Sequence, residues 1–292
     1  MSITAEQQLS KHLEFIYGEE QAAQLTKRIL KILKRFKAEH PDLMASNSKD
    51  CVSEQDTILI TYGDMVQEES QLALQTLAAF LKKHLADVVS TVHILPFYPY
   101  SSDDGFAVID YKQVNPVLGS WDDILQLRND FRLMFDAVIN HISSQSAWFQ
   151  GFLRGEPDLQ EYFTVVEKDT DLSHVFRPRA TPLLTPFKTA EGEKLVWTTF
   201  GTDQIDLNYS NPEVLINVID ILLFYAAHGA EFIRLDAITY VWKELGTNCI
   251  NLPRTHRIVQ LMRTILDIAA PGVAIITETN VPHKDNIAYF GD

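Results

Sequence analysis

The stretch Gly229-Ala-Glu-Phe-Ile-Arg-Leu-Asp236 reads as a short apolar strand that ends on a carboxylate. A second run, Ala274-Ile-Ile-Thr-Glu278, repeats that design. Short apolar runs rich in β-branched residues suit parallel strands buried on both faces. In a chain of β/α units, residues at the C-terminal ends of strands line the face where barrel enzymes hold their chemistry. Neighbouring strands lie about 4.8 Å apart. If these two runs are neighbours, their carboxylates fall near the roughly 5–5.5 Å separation of retaining glycosidases. A sugar-cleaving site is the expectation.

Arg234 and Asp236 are two residues apart, so on a strand both side chains point to one side. A guanidinium there keeps Asp236 ionised and oriented, as a nucleophile requires. A structural ion pair in a barrel core is the alternative. Glu278 ends an apolar strand, where desolvation raises a carboxyl pKa toward that of a general acid. Its alternative is a satisfied polar residue at a strand end.

Outward from these runs the chain alternates. Strands are predicted at 58–62, 91–96, 132–139, 231–236 and 273–277, with helices near 70–84, 123–129, 211–228 and 255–268 between them. Asn211 and Pro212 fit the cap and first position of a helix that Gly229 ends. Strands separated by helices pair in parallel with right-handed crossovers, which leaves an open doubly wound sheet or a closed barrel. Tyr62-Gly63-Asp64-Met65 follows the first strand where a glycine-rich nucleotide loop would stand, which favours the barrel. A closed barrel needs eight strands, and only five are legible. The expected fold class is therefore α/β, an incomplete (β/α)8 barrel of about five units.

Four segments are expected: a helical extension over 1–55, the first part of the barrel over 56–142, an inserted subdomain over 143–205, and the barrel's continuation over 206–292. In the extension Leu25, Ile29, Ile32, Leu33 and Phe36 recur at helical spacing, a stripe that packs on the main body or, alternatively, takes a partner. The alternation lapses after His141 for a stretch rich in Pro, Phe and Thr, too long for a plain connection.

The composition is that of an ordinary globular protein, with 46% hydrophobic and 22% charged residues. A net charge of −14 repels phosphates and argues against nucleic-acid partners. Cys51 and Cys249 make no disulfide framework or metal spacing, which points to a reducing cytoplasm. No stretch approaches a membrane span, and the charged N-terminal segment does not read as a signal peptide.

Two further segments carry chemistry. Asp136-Ala-Val-Ile-Asn140-His141 closes the third strand, with Asp136 placed to hold the loop by hydrogen bonds and His141 to reach a sugar hydroxyl; alone, the pattern favours structural capping. After the second strand, Leu95-Pro-Phe-Tyr-Pro-Tyr-Ser-Ser-Asp103-Asp104-Gly105-Phe106 sets two acids beside aromatic rings. That combination suits a hexose, whose hydroxyls need acceptors and whose apolar face stacks on a ring.

Together these segments resemble the α-amylase superfamily, glycoside hydrolase family 13. Asp136 to His141 match its first conserved region, Gly229 to Asp236 the second, and Glu278 the acid/base of the third. His93-Ile-Leu-Pro-Phe97, Asp103-Asp-Gly-Phe106, Arg177-Pro-Arg179, Arg234-Leu-Asp-Ala237 and Lys243-Glu-Leu-Gly-Thr-Asn-Cys249 look like the sucrose phosphorylase subfamily. The resemblance implies that Asp236 attacks the anomeric carbon of an α-glucoside while Glu278 protonates the departing oxygen. Inorganic phosphate then resolves the glucosyl-enzyme and gives α-glucose 1-phosphate. It further implies a glucose subsite of Asp103, Phe106, His141 and Arg234, and an acceptor and phosphate role for Arg179. The implied partners are an α-glucoside and phosphate, with no metal or organic cofactor.

Glu278-Thr279-Asn280 and the N-terminal extension look more like subfamily members acting on glucosylglycerate. Sucrose, sucrose 6′-phosphate and glucosylglycerol are the alternative substrates; hydrolysis or transglycosylation is another reading. The superfamily's fourth region, a His-Asp pair, and the last β/α units find no counterpart in the sequence. The chain is accordingly expected to be part of a longer phosphorylase, inactive and prone to aggregate alone, or a remnant that binds without turnover.

Overall fold

The computed structural model describes residues 4–45 and 52–291. Cys51 and the parts of the expected extension at 1–3 and 46–51 lie outside the described residues.

Thr4 caps the first helix, α1 (Ala5–Tyr17), by a capping box with Gln7. Gly18, at φ +83°, then turns the chain into α2 (Glu19–Glu39). The extension is thus a pair of helices, a break that the single stripe of apolar residues did not announce. Leu9, Leu13 and Ile16 of α1 and Leu25, Ile29, Leu33 and Phe36 of α2 are buried. Each such residue contributes roughly 1.5–3 kcal/mol by leaving water. The predicted stripe is therefore a packing face.

The barrel strands are β1 (Ile58–Thr61), β2 (Thr91–Ile94) and β3 (Arg132–Ala137), with α3 (Ala73–Leu85) and α4 (Trp121–Leu127) between them. The predicted second and third strands run longer; Pro96 lacks the N–H a ladder needs, and after Ala137 the chain turns to a new pairing. Next come β4 (His141–Ser143) and α5 (Ala147–Arg154), then β5 (Val165–Val166), β6 (Leu184–Thr189), β7 (Gly192–Trp197) and β8 (Gln204–Asp206). Strands β5, β7 and β6 form an antiparallel sheet. Pro186 sits on its edge strand β6, where a missing donor is tolerated. Strand β4 pairs antiparallel with β8, which sets His141 opposite Asp206.

The alternation then resumes with α6 (Pro212–Ala227), β9 (Ala230–Leu235), α7 (Pro253–Ala269) and β10 (Ala274–Thr277). Asn211 caps α6 through its side chain, as its sequence signal indicated. The main sheet runs β1-β2-β3-β9-β10, every pair parallel. That order follows the chain without reversing, whereas a doubly wound sheet reverses at a switch point. The sheet is an arc of a barrel. Helices α1 and α2 pack on its outer side, against α7 and α6.

Candidate active site

The two acids leave the sheet side by side. The Asp236 N–H donates to Ala137 O of β3 at 3.1 Å, and the Glu278 N–H donates to Leu235 O of β9 at 3.0 Å. The ladder thus holds both backbones at its last rung. Directly after Asp236, Ala237 adopts a left-handed conformation, φ +47°. Such a conformation costs a non-glycine residue about 1–3 kcal/mol and persists only where its surroundings impose it. Here it aims the Ala237 N–H at Glu278 Oε2, 2.9 Å away.

Arg234 ties the acids together. Its Nη1 lies 3.1 Å from Asp236 Oδ1 and also bonds Asp136 Oδ1, while Nη2 lies 2.8 Å from Glu278 Oε1. Asp136 is wholly buried, and its second oxygen sits 2.7 Å from His93 Nε2. Its place is therefore between Arg234 and His93, not holding the loop after β3 as expected.

The electrostatics depart from the sequence reading. Burial pushes the Asp236 carboxyl well above the usual carboxylate range, and the charge of Glu278 pushes it further. Arg234 opposes this, yet one guanidinium serves three carboxylates and cannot hold Asp236 down. Glu278, expected to be desolvated, is 47% exposed, against 8% for Asp236. The reason is position: β10 is the outer strand of the sheet and all its residues are half-buried.

A cavity of about 260 Å³ opens above these groups. Asp103, Phe106, His141, Arg179, Arg234, Asp236 and Glu278 all line it. Every predicted site residue is thus brought to one place. Tyr62, Asp104, Phe200 and Gln204 line it too, without having been singled out for the site or with no role assigned. Asp103 and Asp104 both have positive φ, +55° and +48°, and Gly105 follows at +106°. A Cβ at Gly105 would sit 2.6 Å from Pro96 O, so this turn needs glycine there. The turn brings Asp103 Oδ2 to accept from Gln204 Nε2 at 3.0 Å. Arg179 is exposed at the mouth.

His141 is buried, which lowers its pKa. Asn140 Nδ2 approaches its Nδ1 at 3.2 Å, and Nε2 lies 2.9 Å from Phe106 O. Neutral imidazole with the proton on Nε2 satisfies both contacts. Behind it Lys243 Nζ meets Asp206 Oδ2 at 2.6 Å, Asn140 Oδ1 at 3.0 Å and Tyr240 O at 2.7 Å. Sequence reasoning quoted Lys243 without a role and passed over Asp206. A signal existed, since Gln204 and Asp206 alternate with Ile205 as side chains on one strand face do.

The chain belongs to the alpha-amylase catalytic-domain family, whose model matches residues 83–292. Among curated relatives it is similar to glucosylglycerate phosphorylase of Allomeiothermus silvanus, 53% identical over 293 residues, covering 100% of this chain and 51% of the relative. The glucosylglycerate phosphorylase of Escherichia coli is 49% identical over 286 residues, covering 98% and 50%. Among solved structures, sucrose 6F-phosphate phosphorylase from Thermoanaerobacter thermosaccharolyticum superimposes with a TM-score of 0.72 at 30% identity, covering 79% of this chain and 49% of that one. The chain spans about half the length of the curated relatives it matches.

Proposed function

We propose that this chain carries the glucosyl-transfer half-site of a retaining α-glucoside phosphorylase, with glucosylglycerate as the favoured substrate. The observation that carries the reading is Asp236 and Glu278 on adjacent strand ends, sharing one guanidinium. Inverting enzymes hold their carboxyls roughly 6.5–9.5 Å apart to admit a water, whereas two acids bridged by one guanidinium on paired strands fit the closer spacing of retaining enzymes. Asp236 is the nucleophile: its oxygen bonds to the anomeric carbon as the glycosidic C–O bond breaks. Glu278 gives its proton to the departing oxygen. Phosphate oxygen then attacks the glucosyl ester, its proton passes back to Glu278, Asp236 leaves as a carboxylate, and α-glucose 1-phosphate forms with retained configuration.

This sequence needs the proton on Glu278 and the charge on Asp236, the reverse of what burial alone favours. Covering Glu278 and seating an oxocarbenium-like centre beside Asp236 supply that reversal, because positive charge stabilises the carboxylate it faces. Asp103, Phe106, His141 and Arg234 hold the glucosyl unit by acceptors, a ring and donors. Arg179, a cation at the cavity mouth, binds phosphate or the acceptor carboxylate. The curated relatives named above support glucosylglycerate over sucrose; sucrose phosphorylase of Bifidobacterium adolescentis is only 32% identical over 243 residues. We further propose the inserted segment 143–205 as a separate subdomain that carries Arg179 to the mouth.

The test is a chimera in which residues 1–292 replace the matching half of the Allomeiothermus silvanus relative. With phosphate and glucosylglycerate it should release α-glucose 1-phosphate. A folded chimera that only hydrolyses glucosylglycerate, or acts only on sucrose, contradicts the proposal.

A further inference from the structure

The role of the N-terminal helices is open in the sequence, and one residue of α1 singles itself out. Tyr17 is its last residue, and its ring meets Trp242 edge-on at 6.4 Å. Its hydroxyl donates to Tyr209 O at 2.9 Å. Two paths lead on from there, and both end at the same turn. Trp242, held on another side by the Arg254 guanidinium at 5.1 Å, directly precedes Lys243. Lys243 in turn bonds Asn140 Oδ1. Tyr209 is buried and donates its own hydroxyl to Ile139 O at 2.8 Å. Ile139, Asn140 and His141 are consecutive, so α1 grips the His141 turn through one ring and one hydroxyl.

We propose that the N-terminal helix pair is a positioning element for the site and that Tyr17 is its positioning residue, setting the His141 turn through Trp242–Lys243 and through Tyr209. The bidentate pair of Arg28 with Glu213, at the start of α6, anchors α2 beside the same junction. Neither path passes through the sheet. The inference rests on reading His141 as part of the glucosyl site, but its test reads the ring's surroundings rather than turnover, so the two can fail separately.

The experiment uses the whole 292-residue chain with labelled histidine, and a His141→Gln variant assigns the His141 ring resonances. Tyr17→Ala should shift those resonances and speed amide exchange over 205–211 and 238–252 about tenfold, with 58–95 unchanged. Tyr17→Phe keeps the ring and loses the hydroxyl, so its effect should be smaller and centred near Tyr209. Trp242→Leu should reproduce the shift from the other path and serves if Tyr17→Ala does not fold. His141 signals that stay in place in folded Tyr17→Ala or Trp242→Leu, with exchange raised only within 5–39, would overturn the proposal.

Discussion

The inner and outer strands of this sheet hold the same kinds of residue under different conditions. Strand β2 and nearly all of β3 are buried, whereas β1 exposes Ile58 and Ile60 and β10 is half-buried throughout. Asp236 follows an inner strand and Glu278 an outer one. Residue type alone would give the two acids similar proton affinities. Position separates Asp236 from that ordinary value, because burial and the neighbouring charge of Glu278 both disfavour its ionised form. The strand a carboxylate follows, and not only its place at the strand's end, decides what it can do.

The largest effect should come from removing the inner acid. In the chimera, Asp236→Asn should lower glucosyl transfer by at least roughly 10⁴-fold, as loss of a nucleophile does. Steady-state release of α-glucose 1-phosphate reads this directly, and a loss below tenfold would take Asp236 out of that role.

Next is the cation the acids share. Arg234→Met leaves buried Asp136 without its guanidinium and should destabilise the 292-residue chain by about 3–5 kcal/mol in urea unfolding. A loss under about 1 kcal/mol would show that His93 alone satisfies Asp136.

The pH dependence of stability sharpens the comparison itself. An acid whose folded pKa lies above its unfolded value stabilises the fold only while protonated, so Asp236 costs stability as pH rises through its raised pKa. Asp236→Asn should therefore raise the melting temperature at pH 7 more than at pH 4, by a few degrees on the scale of about 1 kcal/mol. Glu278→Gln should act in the same direction and less, since it removes only the second cause. Equal gains at both pH values would mean that Asp236 is not the group carrying the strain.

The last expected effect is local. Gly105→Ala forces a Cβ against Pro96 O at φ +106° and should cost more than about 1 kcal/mol in thermal unfolding, with a weakened glucosyl site. No change would mean that the Asp103–Asp104 turn relaxes freely.

Much of this could be read from the sequence, and for definite reasons. The barrel strands announce themselves because burial on both faces leaves runs such as Leu133-Met-Phe135 with no polar alternation. Arg234 and Asp236 declare a shared side by a spacing of two. What stayed hidden depends on contacts between distant segments. The break at Gly18 had a signal, since glycine is the residue that most often ends a helix, but the stripe read from the sequence began only at Leu25. The bridging place of Asp136 requires His93 from β2 and Arg234 from β9. Lys243 meets Asp206 across 37 residues of sequence, beyond the reach of any local period. The wetting of Glu278 was missed because burial was read from its own strand, while exposure is set by what lies beside that strand.

The most direct test of the central claim is to trap the glucosyl group. The chimera, incubated with a slow fluorinated glucosyl donor and digested, should show the adduct on the peptide containing Asp236. Added phosphate should release it as the corresponding sugar 1-phosphate. An adduct on another residue, or turnover to α-glucose 1-phosphate that persists in Asp236→Asn with no adduct at all, would contradict the account.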